Sequence, residues 1–107
     1  MLYTQSAAST EYIRVPITAE KAGAAYDPTD DTVVMAFLAT PAAPTSGDWK
    51  TASWDTDPST YPPAYHAQCL VGPSGTVTLA AGTYAVWVKV TDSPEVPVKR
   101  AGQIKIV

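Results

Sequence analysis

The stretch LAAGTYAVWVKVTD, residues 79–92, decides how the chain is read. Tyr84, Val86, Val88 and Val90 alternate with Ala85, Trp87, Lys89 and Thr91, and a period of two is the signature of a strand with one buried face. The valine side belongs to a core. The other side should be wet, yet it holds a tryptophan. Trp87 therefore needs cover, and three sources are open: the same chain, a sister copy or another protein.

Working outward, ten prolines and six glycines interrupt the chain so often that no helical period of useful length survives. Short alternating runs predict strands instead. EYIRVPIT (11–18) points Ile13, Val15 and Ile17 one way and Tyr12, Arg14 and Pro16 the other, and Pro16 marks an edge because it cannot donate a ladder hydrogen bond. TVVMAFLA (32–39) is apolar on both sides, as expected of a central strand covered twice or of one whose outer face is an interface. DWKTASWD (48–55) reads as one strand, and AYHAQCLV (64–71) as another with Tyr65, Ala67, Cys69 and Val71 inward and His66 and Gln68 outward. TVTL (76–79), the opening stretch and GQIKIV supply further strands. Turns fall at KAGAAY, DPTDD, GPSG and in the proline-bounded TDPSTYPP, with SPEVPVKR joining the final two strands.

No strand–helix alternation appears, which argues against a parallel-sheet enzyme. LAAGTY is similar to the corner before strand F of immunoglobulin-like domains, where a tyrosine in the place of Tyr84 bonds back to upstream backbone. A single cysteine excludes an internal disulfide. The expected fold is all-β: a single immunoglobulin-like antiparallel β-sandwich of about seven or eight strands. Residues 11–107 form it, and residues 1–10 an N-terminal arm.

Composition narrows function by exclusion. Net charge is −3 and the sequence pI about 4.8, without the basic surplus of a nucleic-acid binder. No run approaches the roughly 18 apolar residues of a membrane span, and MLYTQSAASTEYIRV lacks the basic-then-apolar order of a secretory signal. Charge is uneven, however: residues 1–88 set Arg14, Lys21 and Lys50 against eight acids, whereas Lys89, Lys99, Arg100 and Lys105 outnumber Asp92 and Glu95 in the remainder. Such asymmetry can orient docking on a protein surface.

Chemistry is sparse. His66 and Cys69, three apart on one strand, face opposite ways and cannot activate one another. Asp27, Asp30 and Asp31, with Asp55 and Asp57, lack the spacing of a calcium loop and suit turns. Neither a phosphate loop, a serine elbow nor a paired-histidine motif is present, so no enzyme, metal or cofactor is expected. Aromatics say more. Trp49 and Trp54, five apart, should face opposite ways if one strand holds both, leaving one in the core and one outside.

The pieces GDWKTASW, VGPSGTVTLAAGTYAVWV and SPEVPV, within residues 11–107, resemble small virion proteins of tailed actinobacterial phages. The resemblance implies a non-enzymatic virion structural protein, made in the host cytoplasm without a signal peptide. Its leading form is a capsid decoration protein that binds the outer surface of the major capsid shell and possible copies of itself, with no nucleic-acid or membrane partner. Tyr3, Tyr12, Trp87, Lys99 and Arg100 are the expected contacts. Two alternatives stand beside it: a head–tail junction, tail or baseplate component, and a carbohydrate-binding host-adhesion module built on Trp49 or Trp54, Tyr61 and Tyr65.

Overall fold

A computed structural model describes residues 2–17, 20–21, 24–25, 31–39, 42–57, 59, 64–91, 96 and 98–107. Among the described residues ten strands run in chain order: β1 (Leu2–Gln5), β2 (Glu11–Ile17), β3 (Glu20–Lys21), β4 (Ala24–Ala25), β5 (Thr32–Leu38), β6 (Lys50–Thr51), β7 (Ser53–Asp57), β8 (Ala64–Val71), β9 (Gly82–Thr91) and β10 (Val98–Ile106). Eight of them make two sheets, β1-β10-β9-β5-β6 and β2-β8-β7, while β3 and β4 pair only with each other. All pairings are antiparallel except β1 with β10. β2, β8 and β7 take the places of immunoglobulin strands B, E and D. β10, β9 and β5 take those of G, F and C, with β6 added beside C. The fold is the expected all-β sandwich.

Alternation builds its core. Val86 and Val88 of β9, Val33 and Met35 of β5, and Ile104 and Ile106 of β10 face Ile13 and Val15 of β2 and Ala67, Cys69 and Val71 of β8. Each large aliphatic side chain so buried contributes about 1.5–3 kcal/mol. Trp54 and Phe37 pack against this cluster from the side.

Three boundaries differ from the sequence reading. DWKTASWD is not one strand: the chain changes sheets at Ala52, with β6 at the rim of the larger sheet and β7 at the rim of the smaller. The Ala52 amide donates to Val33 O at that crossing (3.3 Å). TVTL forms no strand, only a parallel bridge between Val77 and Val71, because the Gly72–Gly75 turn brings back just one residue in register. The last strand begins earlier than GQIKIV: Val98, Lys99 and Arg100 already pair with Lys89, Val88 and Trp87. The opening arm is integrated too, since Leu2–Gln5 supplies β1. Most of DPTDD and TDPSTYPP, including Asp27, Asp30 and Tyr61, lies outside the described residues.

Two local devices hold the register. Tyr84 Oη donates to Ala80 O at 2.9 Å, the tyrosine corner anticipated from LAAGTY. At the seam between the sheets, the buried Gln5 amide donates to Ser9 O (3.0 Å) and Val71 O (2.8 Å), and Thr10 Oγ1 donates to Pro73 O (2.6 Å). Gly72, at φ +137°, lies against this crossing so closely that a Cβ would strike the Ser9 carbonyl and come within 2.6 Å of Thr10 Cα.

Gly72→Ala is therefore expected to cost at least about 2 kcal/mol, since strain and a backbone clash coincide. Tyr84→Phe, which keeps the ring and loses one hydrogen bond, should cost about 1 kcal/mol. Urea unfolding of both variants checks the order; equal losses would mean that the seam is no tighter than the corner.

Candidate docking surface

The outer side of the five-stranded sheet is built in rows fixed by strand register. Val98, Lys89 and Val34 form one row, Arg100, Trp87 and Ala36 the next, and Gln103, Ala85 and Leu38 the third. Ala36 and Ala85 are buried yet lie outside the core cluster, and Trp87, Val34 and Leu38 are half-buried without joining it. A second apolar patch thus lies behind the sheet. Trp87 points outward, as its parity requires, and its Nε1 is buried with no hydrogen-bond partner. An unsatisfied buried donor costs about 1–3 kcal/mol.

Trp49 extends the patch. The 3-10 turn Ser46–Asp48 precedes it, and Thr45 secures that turn by donating its amide (2.8 Å) and its hydroxyl (3.0 Å) to Asp48 Oδ2. These bonds hold the Asp48 carboxyl below its ordinary pKa. Lys89 Nζ stands 4.7 Å from the Trp49 ring centroid, a cation–π contact that keeps the indole on the outer face. Trp54, by contrast, turns to the core and donates Nε1 to Asp31 O at 2.9 Å. One tryptophan is thus inward and the other outward, although no single strand holds both: Trp49 precedes β6 and Trp54 lies in β7.

Charge divides along the same line. The strands of the five-stranded sheet hold Lys50, Lys89, Lys99, Arg100 and Lys105 and no acidic residue at all. Those of the three-stranded sheet hold Glu11, Asp55 and Asp57 against Arg14. On the outer face of the smaller sheet, polar side chains pair with one another. Arg14 Nε donates to Gln68 Oε1 (3.1 Å) and pairs with Asp55 (3.3 Å), Gln68 Nε2 donates to Ser53 Oγ (3.3 Å), and the Arg14 guanidinium lies over Tyr12 at 5.5 Å.

The residues expected at a partner contact are therefore not one cluster. Trp87 and Arg100 are neighbours across β9 and β10, and Lys99 follows on the exposed rim. Tyr12, 45% exposed, is on the outer face of the other sheet. Tyr3 pairs with Ile104 in β1, and its side chain lies outside the described residues. Val34, Leu38, Ala36 and Trp49 complete the patch; the apolar outer parity of TVVMAFLA was their only sequence signal.

Among the described residues, the two side chains best suited to nucleophilic chemistry stay apart. Cys69 faces the core, where its Sγ lies 3.6 Å from Thr51 O, whereas His66 is on the outer side of β8, its Nδ1 buried and unpaired. Of the residues offered for a sugar site, Trp54 belongs to the core, Trp49 lies on the outer side, and Tyr61 is outside the described residues. Among the described residues no group of three or more His, Cys, Asp or Glu could hold a metal ion. Comparison with known proteins finds no matching family model, no similar curated protein and no similar solved structure.

Burial pushes the Cys69 thiol up from 9.0 to about 11. The folded state therefore favours the neutral thiol, and its contribution is full below pH 9 and is lost as pH rises toward 11. Stability should fall with pH across that window more steeply in the wild type than in Cys69→Ala, by up to about 1.4 kcal/mol per pH unit. Parallel pH profiles from urea unfolding would contradict it.

Proposed function

We propose that this chain is a non-enzymatic structural protein of a phage virion, docking through the outer face of its five-stranded sheet. One observation carries the docking reading: the sheet turns a patch of Trp87, Trp49, Val34, Leu38, Ala36 and Ala85 away from the core, rimmed by cations, while on the other sheet Arg14, Gln68, Ser53 and Asp55 pair among themselves. The resemblance of GDWKTASW, VGPSGTVTLAAGTYAVWV and SPEVPV to small virion proteins supplies the setting. The leading assignment within it is decoration of the major capsid shell.

Such a protein needs no tight single contact. Many symmetry-related copies bridging neighbouring shell subunits convert modest interfaces into stability, and an aromatic anchor with a polar rim suits that task. Trp87 is the anchor. Arg100 and Lys89, beside it in the rows, steer approach toward a surface of opposite charge.

Quantitative mass spectrometry of purified virions should return hundreds of copies per particle, against about six or twelve for a ring at the head–tail junction. Trp87→Ala should fold and lose shell affinity by about thirtyfold, the effect of removing an interface hot spot. Tyr12→Ala should bind as the wild type does. Absence from virions would end the structural reading, and full shell binding by the Trp87 variant would remove the proposed face.

A further inference from the structure

β10 is paired unequally along its two sides. On one side β9 runs beside it from Val98 to Ile106. On the other, β1 reaches only Gln103–Ile106, so among the described residues Val98–Ala101 has no strand on that side. The register shift between Arg100 and Gly102 sets this upstream half apart, and Gly102, at φ +152°, takes a backbone conformation that a side chain would oppose. Val98, Lys99 and Arg100 are exposed, so the edge is open to solvent. Val96 (48%) and Val98 (45%) are two of the four large exposed hydrophobics among the described residues, and both lie here.

We propose that this open half-edge accepts an extended, carboxylate-rich segment of another protein as an added strand. Main-chain hydrogen bonds to Val98–Ala101 give affinity, Val96 and Val98 contact alternate apolar side chains, and Lys99 and Arg100 select for acid. Charge fixes the occupant. The sheet that would be extended contains five basic residues and no acidic one. Pairing the edge with its counterpart on a second copy would bring two such basic segments together. The chain's own acidic edge, β7, already commits Asp55 to Arg14. Nucleic acid has little to recognise, because Trp87 lies inboard and half-buried rather than at the edge. The edge shares Val98 and Arg100 with the docking face, whereas Trp87 belongs to the face alone.

The full chain is titrated with a ten-residue peptide alternating glutamate and valine, with its lysine-for-glutamate counterpart, and with a short DNA duplex. Expected is binding of the glutamate peptide alone, with slowed amide exchange at Val98–Ala101 and affinity that falls between about 50 and about 300 mM salt. K99E/R100E should weaken it about tenfold, and K99Q/R100Q less, with unchanged thermal unfolding in both. Equal binding by the charge-reversed variant, protection at β5 instead of β10, or preference for the duplex would each overturn the proposal. So would concentration-dependent self-association that consumes the same edge. Loss of shell binding in Trp87→Ala with peptide binding intact would separate the face from the edge.

Discussion

The whole sandwich depends on how closely the chain can cross itself where β1 hands over to β2. Gln5 ends a strand of one sheet and Val71 ends a strand of the other, and a single buried amide ties them through Val71 O and Ser9 O. That spacing exists only because Gly72 has no Cβ to meet the Ser9 carbonyl. The consequences run downstream. Gly72 N bonds Val77 O, Val77 N bonds Leu70 O, and the chain then reaches the Ala80–Tyr84 corner with its phase already set. A slip of one residue in β9 would exchange Val86 and Val88 for Ala85, Trp87 and Lys89 in the core. The outward tryptophan is thus specified some fifteen residues before it, by the backbone geometry of a glycine turn.

The two sheets, built on the same alternation, use their outer faces differently. On the smaller, Arg14 and Gln68 bond to partners in the same sheet, and these side chains also hold β2, β8 and β7 in register. Such exposed pairs contribute little individually, about 0.2–1 kcal/mol each. Their effect is to tie side chains of β2, β8 and β7 to one another, while His66 Nδ1 on the same side of β8 stays unpaired. The strands of the larger sheet hold no acid, alanines leave shallow ground around Trp87, and one lysine is spent on Trp49. The composition of one chain thus separates into a face whose charges pair internally and a basic one. The net charge of −3 conceals this entirely.

Much of the fold was legible in the sequence because period-two patterns report burial directly. β2, β5, β8 and β9 appear with the facing expected of them, and Tyr84 makes the corner that its spacing from Gly82 suggested. Where sequence reading failed, the pattern was ambiguous on physical grounds. DWKTASWD looks continuous because a change of sheet at Ala52 leaves no glycine or proline behind it. VKR looks like linker because Pro94 and Pro97 precede it, although proline just before a strand does not interrupt the ladder. The patch was half legible: Trp87 by parity and β5 by its two apolar sides. Trp49 was not, because its side of the sandwich depends on the sheet change that the sequence hides. Tyr12 and Trp87 are both outward, but on different sheets. Outward parity does not say from which sheet.

The open edge of β10 poses the usual hazard of an unpaired strand, and the residues that manage it also define what can bind there. A flat apolar edge would pair with any extended chain, including its own copy. Here the register shift at Ala101 bends the ladder, the pairing with β1 covers the downstream half, and Lys99 and Arg100 charge the remainder. Two adjacent cations oppose pairing with a like edge, because antiparallel register would set cation against cation at close range. The same two cations do not oppose a strand that brings carboxylates, so protection against self-pairing and selection for an acidic partner are one property of the edge. A neutral substitution at these positions would weaken the second while removing the first, which is why affinity for acid and resistance to self-association have to rise and fall together in this sheet.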